Sequence, residues 1–192
     1  MIVLLVALIP CILQAQRFKG GVMLGLNASQ IDGDLLSGYN KAGPLGGVFV
    51  KTELNRQWEV QMEIKYSPKG SATPKDAAQV RKARLQYIEI PVLLSYRIID
   101  NLALQGGVGF GYLFSAMQTE GSGYYDFYDP PEDFEISGQV GIWYYFLDNF
   151  GFVVRYSYSV FPVKEGLVDA VVGPGTWYNN VFGIAVAYRI GR

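Results

Sequence analysis

A chain of 192 residues with 16 basic and 17 acidic side chains carries a formal charge of −1, which leaves no basic field for nucleic acid. Half of it is hydrophobic yet only 17% is charged, below the roughly 25% of soluble domains, and glycine (23) and tyrosine (14) are abundant. It has no histidine, which removes Ser-His and Asp-His catalytic arrangements and the commonest transition-metal ligand, so no catalytic residue, metal or cofactor is expected.

The apolar run at 2–13 is too short for a transmembrane helix of about 20 residues. Gln14-Ala15-Gln16 and then the charges of Arg17 and Lys19 follow it, the pattern of a secretory signal peptide with cleavage expected after Ala15. The chain thus divides into a signal segment, 1–15, and one domain, 16–192. Cys11 is the single cysteine, and Pro10 before it argues against a lipidation site. It reads as one more apolar residue of the removed peptide, and the mature chain then has no thiol chemistry.

Strand-like alternation follows along the rest of the chain. Strands are predicted near 19–28 (Val22, Leu24 and Leu26 on one face) and near 45–54 (Val48 and Val50 against Phe49, Lys51 and Glu53). The segment 58–67 alternates without exception: Trp58, Val60, Met62, Ile64 and Tyr66 against Glu59, Gln61, Glu63, Lys65 and Ser67. Ten residues at roughly 3.3 Å each, tilted by about 45°, rise about 23 Å, the height of the apolar band of an outer-membrane barrel. Further strands are predicted near 86–98 (Ile88, Ile90, Val92 and Leu94 against Tyr87, Glu89 and Arg97) and near 102–114 (Leu104, Val108 and Phe110 against Gln105, Gly107, Gly109 and Gly111). The last three are near 134–146 (Ile136, Val140 and Ile142 against Glu135, Ser137 and Gln139), near 151–161 (Phe152 and Val154 against Arg155 and Ser157), and near 179–190 (Phe182, Ile184 and Val186 against Ala185 and Arg189).

Eight strands is an even number, as closed single-chain barrels of the outer membrane require. The connections alternate long and short: short at Asn55–Gln57, Asp100–Asn101 and Asp148–Asn149, long over 29–44, 68–85, 115–133 and 162–178. Short periplasmic turns and long outer loops are the rule for such barrels. The fold expected is therefore all-β, an eight-stranded antiparallel up-and-down transmembrane barrel with both termini periplasmic. A soluble lipocalin-like carrier is the competing barrel. It keeps apolar groups inside, whereas here the more apolar face ends in Trp and Tyr and the other face carries ions.

That ionic face collects Lys51, Lys65, Arg97, Arg155 and Arg189 against Glu53, Glu59, Glu63, Glu89 and Glu135. The lumen of an eight-stranded barrel holds only side chains, and buried charges must be paired, so a salt-bridge network that closes the pore is expected. A carboxylate pair doing chemistry, or an ion path, is the alternative. Gly107, Gly109 and Gly111 share a face and are expected to make room for long side chains opposite, since no helix follows them as a nucleotide fingerprint requires.

Tyr66-Ser67-Pro68-Lys69-Gly70, then Leu85-Gln86-Tyr87-Ile88-Glu89-Ile90-Pro91-Val92-Leu93-Leu94, Asp133-Phe134 with Gly138 and Gly141, and Arg155-Tyr156 resemble the PorT-like outer-membrane β-barrels of Bacteroidetes-type bacteria. The resemblance covers essentially the whole mature chain and implies an outer-membrane β-barrel; the family's namesake implies an accessory role in protein export. Specificity is then left to the outer loops. The second is basic (Lys69, Lys75, Arg81, Lys82, Arg84) and the third acidic and aromatic (Tyr124, Tyr125, Asp126, Phe127, Tyr128, Asp129). They form a candidate binding surface, dock on each other, or meet lipopolysaccharide phosphates. Three functions stay open: a non-enzymatic structural or interaction barrel with lipid, lipopolysaccharide and envelope or secretion proteins as partners; a small receptor or adhesin; and the soluble carrier.

Overall fold

The computed structural model describes residues 18–74, 77, 79–120, 123–166 and 175–190. The signal segment, Cys11 and the expected cleavage site lie outside the described residues. The alternating segments form β1 (Phe18–Asp32), β2 (Lys41–Glu53), β3 (Trp58–Ala72), β4 (Arg81–Ile99), β5 (Leu102–Glu120), β6 (Tyr125–Asp126), β7 (Phe134–Tyr145), β8 (Phe150–Ser159) and β9 (Tyr178–Ile190). All pairings are antiparallel, β5 pairs with β7, and β9 returns to β1 (Leu24 opposite Val186), so eight strands close into a barrel. The two-residue β6 stands outside the ring and pairs only with Met117 and Gln118.

Closure leaves no sheet edge along the apolar belt, which a chain crossing hydrocarbon requires. The short turns have local causes. At the β2–β3 turn the Asn55 carboxamide oxygen accepts the backbone N–H groups of Gln57 (2.9 Å) and Trp58 (3.0 Å), folding the chain back at once.

Period two sorts the side chains. Leu24 is 72% exposed, and Val48, Ile64, Ile90, Val108, Val140 and Ile184 stand out with it around the wall. A continuous apolar belt of this kind is far larger than soluble monomers tolerate and suits a lipid surround. Aromatic pairs edge the belt at both ends: Trp58–Tyr96 (4.8 Å) and Phe150–Tyr188 (4.9 Å) beside the turns, Tyr112–Phe134 (5.4 Å) and Tyr158–Tyr178 (6.0 Å) toward the loops.

The strands run further on the loop side than alternation predicts. Most of the expected second loop, 68–85, is strand: β3 continues to Ala72, β4 begins at Arg81, and Lys82 pairs with both Ala72 and Thr119. Pro68 and Gly70 break the apolar alternation without breaking the ladder to β4. Gly70 holds φ at +133°, and a Cβ there would lie 2.0 Å from the carbonyl oxygen of Ala83. The ladder to β2 does end, with Gly46 opposite Tyr66. Beyond it β3 turns into the barrel mouth. Inward Asn27 donates to Ser67 (3.0 Å) and to the carbonyl of Pro68 (3.3 Å), and Ser29 donates to the carbonyl of Gly70 (3.0 Å).

Candidate functional site

The inward side chains fill the lumen in ionic groups separated by apolar layers. Beside the turns, like charges face each other across the ladders, Lys19 opposite Lys51 and Glu53 opposite Glu59. Cross-pairing offsets that repulsion. Lys19 reaches Glu53 at 2.6 Å, Lys51 lies 3.7 Å from Glu59, and Arg97 bridges Glu59 and, at 4.0 Å, Glu53. The Lys51 ammonium is also hydrogen-bonded to the Tyr145 hydroxyl and packed over the rings of Trp143 (4.3 Å) and Tyr145 (4.7 Å). Such cation–π contacts are worth more once desolvated. Met23, Leu45, Phe49, Trp143 and Val153 form the apolar layer around this cage.

At the centre, Arg155 grips Glu63 with two parallel bonds of 2.7 and 2.9 Å, and it donates a third, at 2.9 Å, to Gln105. Gln61 donates to the same carboxylate at 2.5 Å. Deeper toward the loops, Glu89 accepts from Lys65 (3.0 Å) and Lys69, and Lys69 spans to Glu135 at 2.8 Å. Ser159 (2.7 Å) and Asn179 (3.1 Å) also donate to Glu135, so both of its oxygens are hydrogen-bonded. Beside Lys65, Glu89 and Arg155 remains a cavity of about 20 Å³, space for a single water molecule.

The two expected charges nearest the turns, Glu53 and Arg189, sit at the rim of an open vestibule. Arg189 donates to the carbonyl of Asp148 at 2.5 Å. Lys69, expected in a basic loop, is instead a buried β3 residue at the heart of the network. Its place beside Glu59, Gln61, Glu63, Lys65 and Ser67 in the odd-numbered register was the available signal. Gly109 and Gly111 leave the room expected of them: a Cβ would stand 2.3 Å from Gln139 and 3.2 Å from Tyr87. At Gly107 a Cβ would instead meet backbone, 2.1 Å from the carbonyl oxygen of Val92.

The loop end is sealed by apolar groups. Ile31, Leu85, Tyr87, Leu113, Val163 and Trp177 pack together, with Phe127 at their edge. Lys164 holds this cover in place, 3.0 Å from Asp129 and 5.3 Å above Trp177. The expected aromatic–acidic loop is therefore divided. Phe127 and Asp129 serve the cover, while Tyr124 and Tyr125 are exposed and Tyr128 is wholly so. Tyr124 lies 5.5 Å beneath the Arg84 guanidinium, which joins the second and third loops. Arg81, Lys82 and Arg84 belong to β4, Asp126 belongs to β6, and Lys75 lies outside the described residues. Beside the cover, Asp34 accepts from Ser71 and from the backbone of Leu36 (2.9 Å), and burial raises its pKa.

A soluble carrier needs the opposite arrangement, with apolar groups inside and polar groups out. The belt and the charged lumen set that expectation aside.

A model of the family described as "Outer membrane protein beta-barrel domain" matches residues 14–165. No curated protein sequence matches the chain. Among solved structures, Ail, the attachment invasion locus protein of Yersinia pestis, in complex with the heparin analogue sucrose octasulfate, superposes with a TM-score of 0.53 at 16% identity, over 91% of this chain and 99% of that one. Neisserial surface protein A (NspA) gives 0.54 at 11% identity, over 88% and 96%. At these identities the likeness is one of fold.

Proposed function

We propose that this chain, which belongs to the outer membrane protein beta-barrel domain family, is a non-enzymatic, closed barrel whose role is structural or interactive, its lumen sealed by its own side chains. The observation that carries this reading is the occupied interior: ionic groups from Lys51 to Glu135 alternate with apolar layers, and the cavity left among them is about 20 Å³. In planar bilayers the purified protein should give no stable, porin-sized current steps. Reproducible steps of that size from a homogeneous sample would overturn it.

The orientation proposed places both termini and the short turns in the periplasm and the loops outside. It rests on the alternation of loop lengths. Chymotrypsin added to intact cells should cut at Tyr124–Tyr128, where the side chains are exposed, and spare Asn55–Gln57 and Asp148–Asn149. Arg81-Lys82 should resist trypsin, because Lys82 is paired on both sides. Cutting confined to the turns would invert the orientation.

Membership of the PorT-like branch, with an accessory role in protein export, is the finer form of this proposal and rests on the motifs around Tyr66–Gly70 and Leu85–Leu94. The second reading is a surface receptor or adhesin. The exposed Tyr124, Tyr125 and Tyr128 beside Asp126 and Arg84 favour it, since aromatic and arginine side chains dominate binding hot spots. Isolation of intact complexes from mild detergent separates the two: envelope or secretion proteins support the first, extracellular ligands the second.

A further inference from the structure

The departure of β3 from β2 shapes the outer wall as well as the lumen. Above Gly46 and Tyr66, the stretch Lys41–Leu45 of β2 keeps its ladder to β1 (Lys41 opposite Ser29, Leu45 opposite Gly25) and loses the one to β3. β3 meanwhile stays with β4 to the pair Ala72–Lys82. The wall therefore carries a notch between β2 and β3, with Lys41 on one flank and β3, backed by β4 and its outward side chains, on the other.

Those outward side chains continue the lipid-facing register. Leu94, Val92, Ile90 and Ile88 are exposed, and Gln86, Arg84 and Lys82 follow at the same parity. Between the apolar and basic stretches runs a polar line in which Tyr66 donates to Gln86 (3.0 Å) and Gln86 to Ser115 (3.0 Å). Arg84 stands four residues beyond Ile88, roughly 9 Å higher for a tilted strand. That is the level of lipid headgroups.

Ser29, opposite Lys41, donates to the carbonyl of Gly70 (3.0 Å), and Gly70 and Ala72 lie opposite Arg84 and Lys82, so the three cations share one neighbourhood and the fields of Arg84 and Lys82 act on Lys41. Among the described residues none of them is ion-paired with a carboxylate. Lys41 donates to the carbonyl of Ala42 (3.3 Å), and Arg84 lies over the Tyr124 ring. Asp126 stands two ladder steps from Arg84, beyond Met117, and is not paired with it; like charges gathered without an ion pair repel, and one anion among them relieves all three pairs at once. A phosphate matches: it accepts a forked arginine contact and two point-like ammonium contacts.

We infer that Lys41, Lys82 and Arg84 form a binding site for a phosphate group of a glycolipid in the outer leaflet. Lys82 and Arg84 lie on the lipid-facing register of β4, continuous with the apolar belt that acyl chains cover, while Lys41, on the inward register of β2 opposite buried Ser29, faces the notch; this selects an anchored phosphate over one free in water. The inference rests on the proposed orientation, which sets the long loops on the outer side.

The test uses the full mature chain in nanodiscs containing bis-phosphorylated lipid A or its dephosphorylated form, with bound lipid read by native mass spectrometry. Retention of the phosphorylated lipid should exceed that of the dephosphorylated form by about tenfold or more, and should fall toward it in the variant K41Q/K82Q/R84Q. Ammonium and guanidinium groups hold a phosphate at this level electrostatically, so salt screens the attraction. Arg84→Lys, which keeps the charge but loses the fork, should bind less than the parent and more than Arg84→Gln. Equal retention of the two lipids, or an unchanged triple variant, overturns the inference. So does displacement of the lipid by millimolar inorganic phosphate, which would make the site one for soluble anions. If the triple variant does not assemble, added salt should strip the phosphorylated lipid from the unaltered chain, and salt-independent retention counts against the site. Both faces of the disc present the same lipid, so a negative result there is independent of the orientation, which protease cleavage in cells tests separately.

Discussion

Replacing Glu63 by leucine is expected to lower the stability of the folded barrel by about 3–5 kcal/mol, the cost of leaving a buried charge without its partner. Arg155 is 6% exposed, and its guanidinium gives two of its bonds to Glu63. Without that carboxylate it keeps Gln105, a neutral acceptor, in a site with room for a single water. The double variant Glu63→Leu with Arg155→Met should recover most of the loss, because it removes both charges and leaves apolar groups of similar length. Urea unfolding in lipid vesicles, followed by the gel shift between folded and heat-denatured barrel, reads both variants. A single variant as stable as the parent, or a double variant less stable than the single, would show that the pair is not held in a dry lumen.

The second large effect lies on the other face of the same strand. Ile64→Arg should block assembly into the bilayer, since a basic side chain on the lipid face near the midplane costs about 2–4 kcal/mol. Val60→Asp should impair it to a smaller degree, being acidic. Gln61→Asn should assemble as the parent does, because Gln61 points among Glu63, Gln105 and their neighbours. Pulse-labelled assembly in cells reads all three. Equal assembly of Ile64→Arg and Gln61→Asn would contradict the assignment of faces.

Most of the barrel is legible in the sequence because a membrane strand between lipid and a wet lumen must alternate, and the alternation names both faces at once. Trp58–Ser67 shows this without a break, and the same parity places Lys65, Glu89, Glu135 and Arg155 indoors, where the structure has them. The rest depends on what lies across the barrel rather than along the strand. Lys69 follows a proline and precedes a glycine, so local chemistry suggests a turn. Pairing with β4 and the carboxylates of Glu89 and Glu135, remote in sequence, make it a buried strand residue instead. The cover built from Val163, Trp177 and Phe127 is equally silent in sequence, since its residues come from separate loops joined through Lys164. The notch beside Lys41 exists because β3 leaves β2 at Tyr66, and no residue of β2 announces that.

The polarity of the wall is the claim on which the rest depends, and the isoleucine methyl groups of the unaltered chain report it directly. With methyl-labelled isoleucine in lipid bilayers, nuclear Overhauser transfer from acyl-chain protons should reach Ile64, Ile90, Ile136, Ile142 and Ile184, all exposed on the belt, and should miss Ile31, fully buried beneath the cover. Transfer from water to the belt methyls in place of acyl chains, or acyl contact at Ile31, would contradict a barrel with its charges inside and its apolar face in lipid.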